Sequence, residues 1–292
     1  MRPTNDDTVE DLIIMRALEP EVVDAVWRTI EGLIPARRDH HPLGCHRPRV
    51  PDRLCFWGVL IRLVTGASWV DVEAILGHQV SDTTLRARRD EWIEAGVFEQ
   101  LKNEATVAFD RIIGLDLSEV SIDGSLHKAP YGGEGTGPNP TDRVKLGWKW
   151  SVAVEAHGIP IGWAIDGANR NDIRLLEPTI ESVEAAGLLV DIETLHLDRG
   201  YDYPVVRQRL GALGLDDLVI QRRGTKKPGK KQPMNLGLRW IVESANSWWS
   251  NYGQLRRSTD RRNEHRHAAL CLATTILITG RLIDHRNRWT AN

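Results

Sequence analysis

Cysteine is scarce. Cys45, Cys55 and Cys271 are the only three in 292 residues, and an odd, sparse set excludes a disulfide-built scaffold. Phenylalanine and tyrosine are few, at three and four, whereas tryptophan reaches eleven. No apolar stretch approaches the roughly 20 residues that a membrane helix needs. The longest, Ala268 to Ile278, spans 11 residues and includes Thr274 and Thr275. The start, Met1-Arg2-Pro3-Thr4-Asn5-Asp6-Asp7, is polar and lacks the secretory pattern. These absences predict a soluble, reduced, cytoplasmic protein with no membrane partner. No Gly-x-Ser-x-Gly elbow is present, which argues against Ser-His-Asp hydrolysis. The run Gly132-Gly133-Glu134-Gly135-Thr136-Gly137 lacks the Lys-Ser/Thr ending and following helix of a phosphate-binding loop. His40, His41, Cys45 and His46 fit no zinc-finger spacing, so the stretch from Pro35 to Pro51 is read as a plain loop.

What is present is a globular composition. Apolar residues make up 41% and charged residues 27%, enough for a substantial core in one large or two modest domains. The net charge of -2 hides a strong asymmetry. Residues 221–292 carry 15 Lys+Arg against 4 Asp+Glu, a local charge of +11, which leaves -13 for the rest. A basic C-terminal quarter on an acidic body points to an anionic partner, with a solvated basic face as the alternative. Trp240, Trp248, Trp249, Tyr252 and Trp289 are interleaved there with Arg239, Arg256, Arg257, Arg261 and Arg262. Arginine clusters among aromatic planes can hold phosphates and stack exposed bases.

The apolar periodicity divides the chain near residues 110–115. Residues 1–110 read as helical. Leu54, Val59, Leu60 and Leu63 form a stripe that Gly66 ends, Val70 to Leu76 is a short helix closed by Gly77, and Ser81 or Thr83 caps a third. That third helix carries Arg86, Arg88 and Arg89, and the set resembles a helix-turn-helix. Residues 115–292 read as a mixed domain. Strands are expected at Glu119–Ser125, Trp148–Ala156 and Ile159–Ile165, with residues 126–146 as a polar, Gly-rich loop. A helix capped by Asn171-Asp172, a strand from Glu193 to Leu197, a helix from Tyr203 to Leu213 and a strand at Leu218–Gln221 follow. A basic loop, Arg222 to Gly237, leads to two closing helices at about 238–250 and 262–284. Three strands without helices and then alternation imply an antiparallel start with parallel additions. That order resembles the ribonuclease-H-like layout, an α/β mixed sheet flanked by helices.

Two acids stand at strand ends. Asp123 follows Ile122 and precedes Gly124, and Asp198 ends the apolar run Leu195-His196-Leu197. A carboxylate at the end of a buried strand is costly without compensation. Glu243 sits on the helix whose Leu238, Ile241 and Val242 are expected to face the sheet. Three converging carboxylates stay ionised together only near a cation. All-oxygen ligands suit Mg²⁺ or Mn²⁺, and two such ions roughly 4 Å apart can activate a hydroxyl and stabilise a leaving 3′-oxygen. Taken singly, each acid is equally well a turn residue or a surface charge, and Asp172 and Asp202 are better read as helix caps.

The stretches SIDGSLHKAPYGGEGTGPNPTDRVKLGWKWSV, GIPIGWAIDGANRND, TLHLDRGYD and LRWIVESANSWWSNYGQLRRSTDRR resemble DDE transposases of bacterial insertion sequences, in the broad group numbered four and five. The N-terminal GASWVDVEAIL and TTLRARRDEWIEAGVFEQL resemble that group as well. The resemblance implies a metal-dependent enzyme that cuts double-stranded DNA at transposon ends and joins it to target DNA. It carries the two Asp and the Glu onto Asp123, Asp198 and Glu243, and the Arg of the Glu-bearing helix onto Arg239. The family's Tyr and Lys on that segment are Leu236 and Ser250 here, with Arg256 and Arg257 as substitutes. Arg261, Arg262 and Trp248 complete the expected DNA contacts. Two protomers are expected because two ends must meet. A nuclease of the same fold that only hydrolyses, and a non-catalytic DNA-binding derivative, are the alternatives.

Overall fold

The computed structural model describes residues 16–36, 48–220 and 239–290. His40, His41, Cys45, His46 and the basic loop Arg222 to Gly237 lie outside the described residues.

Among the described residues five α-helices come first: α1 (Pro20–Leu33), α2 (Asp52–Thr65), α3 (Trp69–Ile75), α4 (Asp82–Glu94) and α5 (Val97–Ile112). Local chemistry sets their ends. Ser68 and Asp71 form a reciprocal capping box on α3, and the Ser81 hydroxyl accepts from the Thr84 amide to cap α4. Gly66 stops α2 at φ 72°, and a Cβ there would meet the backbone of Gly253 at 2.7 Å. The expected Arg-bearing helix is present, but two of its three arginines are internal. Arg88 pairs with Asp52, and Arg89 lies 3.2 Å from Asp260. Arg86 alone of the three is exposed, paired with Asp82 one turn back.

Among the described residues six strands follow: β1 (Glu119–Lys128), β2 (Gly137–Pro138), β3 (Leu146–Val154), β4 (Pro160–Gly167), β5 (Thr194–Leu197) and β6 (Asp217–Ile220). β1 and β3 are antiparallel, as are β3 and β4, while β5 is parallel to β1 and β6 to β5. Setting aside the two-residue β2, the spatial order is β4-β3-β1-β5-β6. This is the ribonuclease-H-like arrangement. α6 (Asp172–Ala185) and α7 (Pro204–Ala212) supply the crossovers, and α8 (Arg239–Ser250), α9 (Gly253–Arg256) and α10 (Asn263–Thr290) close the chain. Part of the expected loop 126–146 is regular structure, because β1 continues to Lys128 and pairs with β3 from Ser121 to that end. The Asn171 side chain accepts from Ile173 to cap α6, so the cap belongs to Asn171 and not to Asp172. Nor does Asp202 cap α7; its carboxylate accepts from Arg207, 2.9 Å away.

The two sheet faces belong to different cores. Val120, Ile122, Leu195 and Leu197 pack with Leu176, Ile180 and Val183 of α6. The opposite face joins a larger core that includes Phe56, Leu60, Leu85 and Trp92 of the first helices, Val242 and Trp249 of α8, and Leu270 of α10. The helical region and the sheet region therefore share apolar packing. Among the described residues α10 is long and apolar enough to span a membrane, with mean hydropathy 1.3, but 67% of that window is buried inside the protein.

Most of the tryptophan is structural. His127 stacks on Trp150 at 3.6 Å, Trp150 meets Trp249 edge-on at 5.5 Å, and Trp249 meets Trp163 at 5.4 Å. Burial pushes the His127 imidazole down to about 3, and burial lowers His265 and His267 as well. An unfolded histidine titrates near 6.5, so between that pH and 3 the unfolded chain binds the proton that folded His127 refuses. Stability contributed by neutral His127 is present above pH 6.5 and is lost as the pH falls, by up to about 1.4 kcal/mol per unit. Melting temperature is expected to drop between pH 6.5 and 4.5, and His127→Phe, which keeps the stack, is expected to flatten that slope. Equal slopes for the two proteins would remove His127 from the account.

Candidate active site

Asp123 and Asp198 are brought together by register. Ile122 pairs with Leu197 across the parallel β1–β5 ladder, so the next residues on each path are Asp123 and Asp198. Neighbouring strands lie about 4.8 Å apart, and side chains alternate between faces. Since Ile122 and Leu197 point to the α6 core, the two carboxylates take the face on which α8 packs. Both are half-buried. β5 ends at Leu197 whereas β1 runs on to Lys128, so the acids stand where the sheet loses a strand.

Glu243 is on α8, which packs on β1 and β3 with Ile241, Val242, Ala245 and Trp249 buried. Its depth is fixed one turn later. The Trp150 indole N–H donates to Asn246 Oδ1 at 2.7 Å, and Trp150 pairs with Ser125, two residues past Asp123. The chain leaving α8 meets the far end of β1, where the Ser258 amide donates to the Lys128 carbonyl. α8 thus runs in the sense of β1. One helical turn back from Asn246 and two strand residues back from Ser125 differ by only about 2 Å along the axis. Glu243 itself is exposed. Among the described residues no three His, Cys, Asp or Glu side chains already form a cage for a metal ion.

A fourth acid lies across the sheet from the pair, on the α6 face. Asp172, the first residue of α6, accepts from the buried Lys149 ammonium at 2.6 Å, and Lys149 also donates to the Arg170 carbonyl at 2.9 Å. A Cβ on Gly124 would come within 2.5 Å of Asp172 Oδ1, so the missing side chain next to Asp123 makes room for this carboxylate. Buried Tyr201 senses all three acids. Burial first, then Asp172, Asp123 and Asp198, push its phenol well above the ordinary range. The glycine inside the strand was the available sequence signal for this approach.

The basic residues are distributed unevenly. Arg256, Arg257, Arg261 and Arg262 are exposed, and Arg262 pairs with Glu264 at 2.5 Å. Arg257 is bridged to Lys128, and the Arg261 carbonyl accepts from the Glu134 amide. Gly133, at φ 111°, permits that last contact, since a Cβ there would lie 2.2 Å from the Arg261 oxygen. Arg239 opens α8, and its side chain lies outside the described residues. Trp248 is half-buried against Gly158, with the Arg281 guanidinium 5.0 Å from its ring centre. Trp240 is the aromatic that α8 presents to solvent, 63% exposed and three residues before Glu243.

The strand order defines a ribonuclease-H-like fold, with Asp123 and Asp198 at adjacent strand ends as candidate catalytic acids. The chain belongs to the DDE transposases: residues 114–278 match the transposase DDE domain family, and residues 22–102 match a family described for transposases of the IS4/5 group. It is similar to a transposase of insertion sequence element IS402 from Burkholderia cepacia, 33% identical over 153 residues, covering 50% of this chain and 70% of that protein. A 16.2 kDa protein of the same element is 30% identical over 122 residues, covering 42% of this chain and 82% of the relative. Solved structures aligned with it include a pre-cleavage Mos1 transpososome at 10% identity, TM-score 0.27, covering 84% of this chain and 83% of that one. The strand order itself defines the fold. The family depends on divalent metal, and the donor chemistry at this edge fits it, since Asp123 and Asp198 offer oxygen ligands only.

Proposed function

We propose that this transposase cuts double-stranded DNA at the ends of its element and joins the freed 3′ ends to target DNA, with Asp123, Asp198 and Glu243 holding two Mg²⁺ or Mn²⁺ ions. The observation that carries the reading is the register that continues from Ile122–Leu197 onto the two Asp. The depth of Glu243 on α8 supports its closing the set when DNA and metal arrive. Bound ions of this kind activate the attacking oxygen and stabilise the leaving 3′-oxygen. The protein's own part is positional. Asp123 and Asp198 are held by a rigid ladder, Arg239, Arg256, Arg257, Arg261 and Arg262 neutralise phosphates, and Trp240, rather than Trp248, offers a plane for an unstacked base. Two copies bring two ends together, in the cytoplasm where the DNA lies.

The test is a strand-joining assay. A duplex with a pre-cut element end is incubated with supercoiled plasmid and Mg²⁺ or Mn²⁺, and covalent end–plasmid products are expected, with binding that weakens steeply as salt rises. Nicking without joined products would select the hydrolytic nuclease. No nicking with either ion would select the non-catalytic DNA binder.

A further inference from the structure

The β1–β3 hairpin overhangs the acids. β1 runs about 16 Å past Asp123 to Lys128, a distance that about five base pairs span along a duplex. Near its end the loop 139–145 is tightly built. The Asn139 amide donates to the Lys145 carbonyl, the Val144 amide donates to the Asn139 carbonyl, and the Asn139 side chain accepts from the Thr141 amide and hydroxyl. Those bonds hold two consecutive non-glycine residues in the left-handed region, Arg143 at φ 51° and Val144 at φ 62°. A β-branched residue there is strained. The same chain uses glycine for positive φ at 132, 133 and 135, so the valine is not forced by the backbone. Nor is it packed inside, since Val144 is 70% exposed. Lys128, Arg143 and Lys145 are exposed around it, with the Lys128 ammonium 3.9 Å from Asp142, and Arg257 is bridged to Lys128.

We propose that this loop is a DNA wedge, with Arg143 entering the minor groove and Val144 pressing on the base edges beside it. Arginine is drawn to narrow minor grooves, and apolar wedges pry base steps there. The strain is kept because it aims an apolar and a cationic side chain outward together. The inference rests on the DNA reading above and goes beyond it by naming a contact outside the acids and the basic C-terminal quarter.

The full chain is titrated into a fluorescent duplex of about 30 base pairs at several salt concentrations, as wild type, Val144→Gly and Arg143→Ala. Val144→Gly is expected to raise the melting temperature by about 1–3 °C, because glycine adopts the left-handed backbone freely, while weakening affinity about three- to tenfold. Arg143→Ala is expected to weaken binding about fivefold or more and to reduce the salt slope by about one. If the wild type binds and both variants bind within twofold of it, or if Val144→Gly lowers the melting temperature, the wedge is wrong. If the wild type does not bind the duplex at all, the failure lies in the DNA reading beneath it.

Discussion

Asp123→Asn lowers DNA cleavage by about three orders of magnitude, the equivalent of roughly 4 kcal/mol in the barrier, and leaves duplex affinity within about twofold. The expectation follows from where the residue stands. Asp123 is part of a ladder that continues into Asp198, so its Cα position is fixed by the β1–β3 and β1–β5 pairings and not by its own carboxylate. An asparagine keeps the shape and one oxygen, and it removes the negative charge that a divalent ion requires. In the proposed function, affinity for DNA is assigned to arginines elsewhere and is expected to be untouched. A second readout separates lost chemistry from lost folding. Millimolar Mn²⁺ is expected to raise the melting temperature of the wild type, because the ion binds the folded state, and to do so much less for the variant. Wild-type nicking by the variant in Mg²⁺ would remove Asp123 from the site.

Much of the fold, and with it the placement of the two candidate Asp, was legible because strands are simple. Apolar alternation located β1, β3, β4 and β5, and the change from consecutive strands to alternation with helices gave their pairing sense. The acids at strand ends followed. What stayed hidden depends on partners distant in sequence. Arg88 and Arg89 look like a surface stripe on α4, yet Arg89 reaches an aspartate 171 residues away. Asp172 looks like a cap because Asn171 and Asp172 are both capping types, and only the close approach to Gly124 reveals its other contact. The choice between Trp240 and Trp248 was readable. Ile241, Ala245 and Trp248 fall at helical spacing toward the buried side of α8, which leaves Trp240 on the outer face. The basic quarter was an overcount for the same reason. Arg266 is buried, donates to the Asp260 carbonyl at 2.6 Å and ties down the Gly-rich loop through the Gly132 and Glu134 carbonyls.

Asp260→Ala is expected to cost about 3–5 kcal/mol, a large share of a total stability of about 5–15 kcal/mol. The Asp260 side chain is 4% exposed and lies 3.1 Å from Arg62 of α2 and 3.2 Å from Arg89 of α4, with Gln254 on its other oxygen. Both guanidinium groups also sit over the Trp69 ring, at 4.6 and 5.1 Å. Burial alone would raise the Asp260 carboxyl; Arg62 and Arg89 override it and hold it below the usual range. Without that carboxylate two cations stay buried beside each other with nothing between them. The melting temperature is expected to fall by roughly 10 °C. An exposed pair sets the scale. Arg16 and Asp284, 2.6 Å apart with side chains 42% and 48% exposed, are expected to yield under about 1 kcal/mol when Asp284 becomes alanine. The triple change Arg62→Met, Arg89→Met, Asp260→Leu is expected to recover much of the loss, because apolar groups of similar volume replace a buried ion cluster at little cost. Function follows stability here. Asp260 lies between Arg256, Arg257 and Arg261, Arg262, on the segment that joins α9 to α10 and faces the first helices. Asp260→Ala is therefore expected to weaken duplex binding at temperatures where the rest of the chain is still folded. Equal melting for Asp260→Ala and Asp284→Ala would show that this cluster does not fix the basic segment to the helical region.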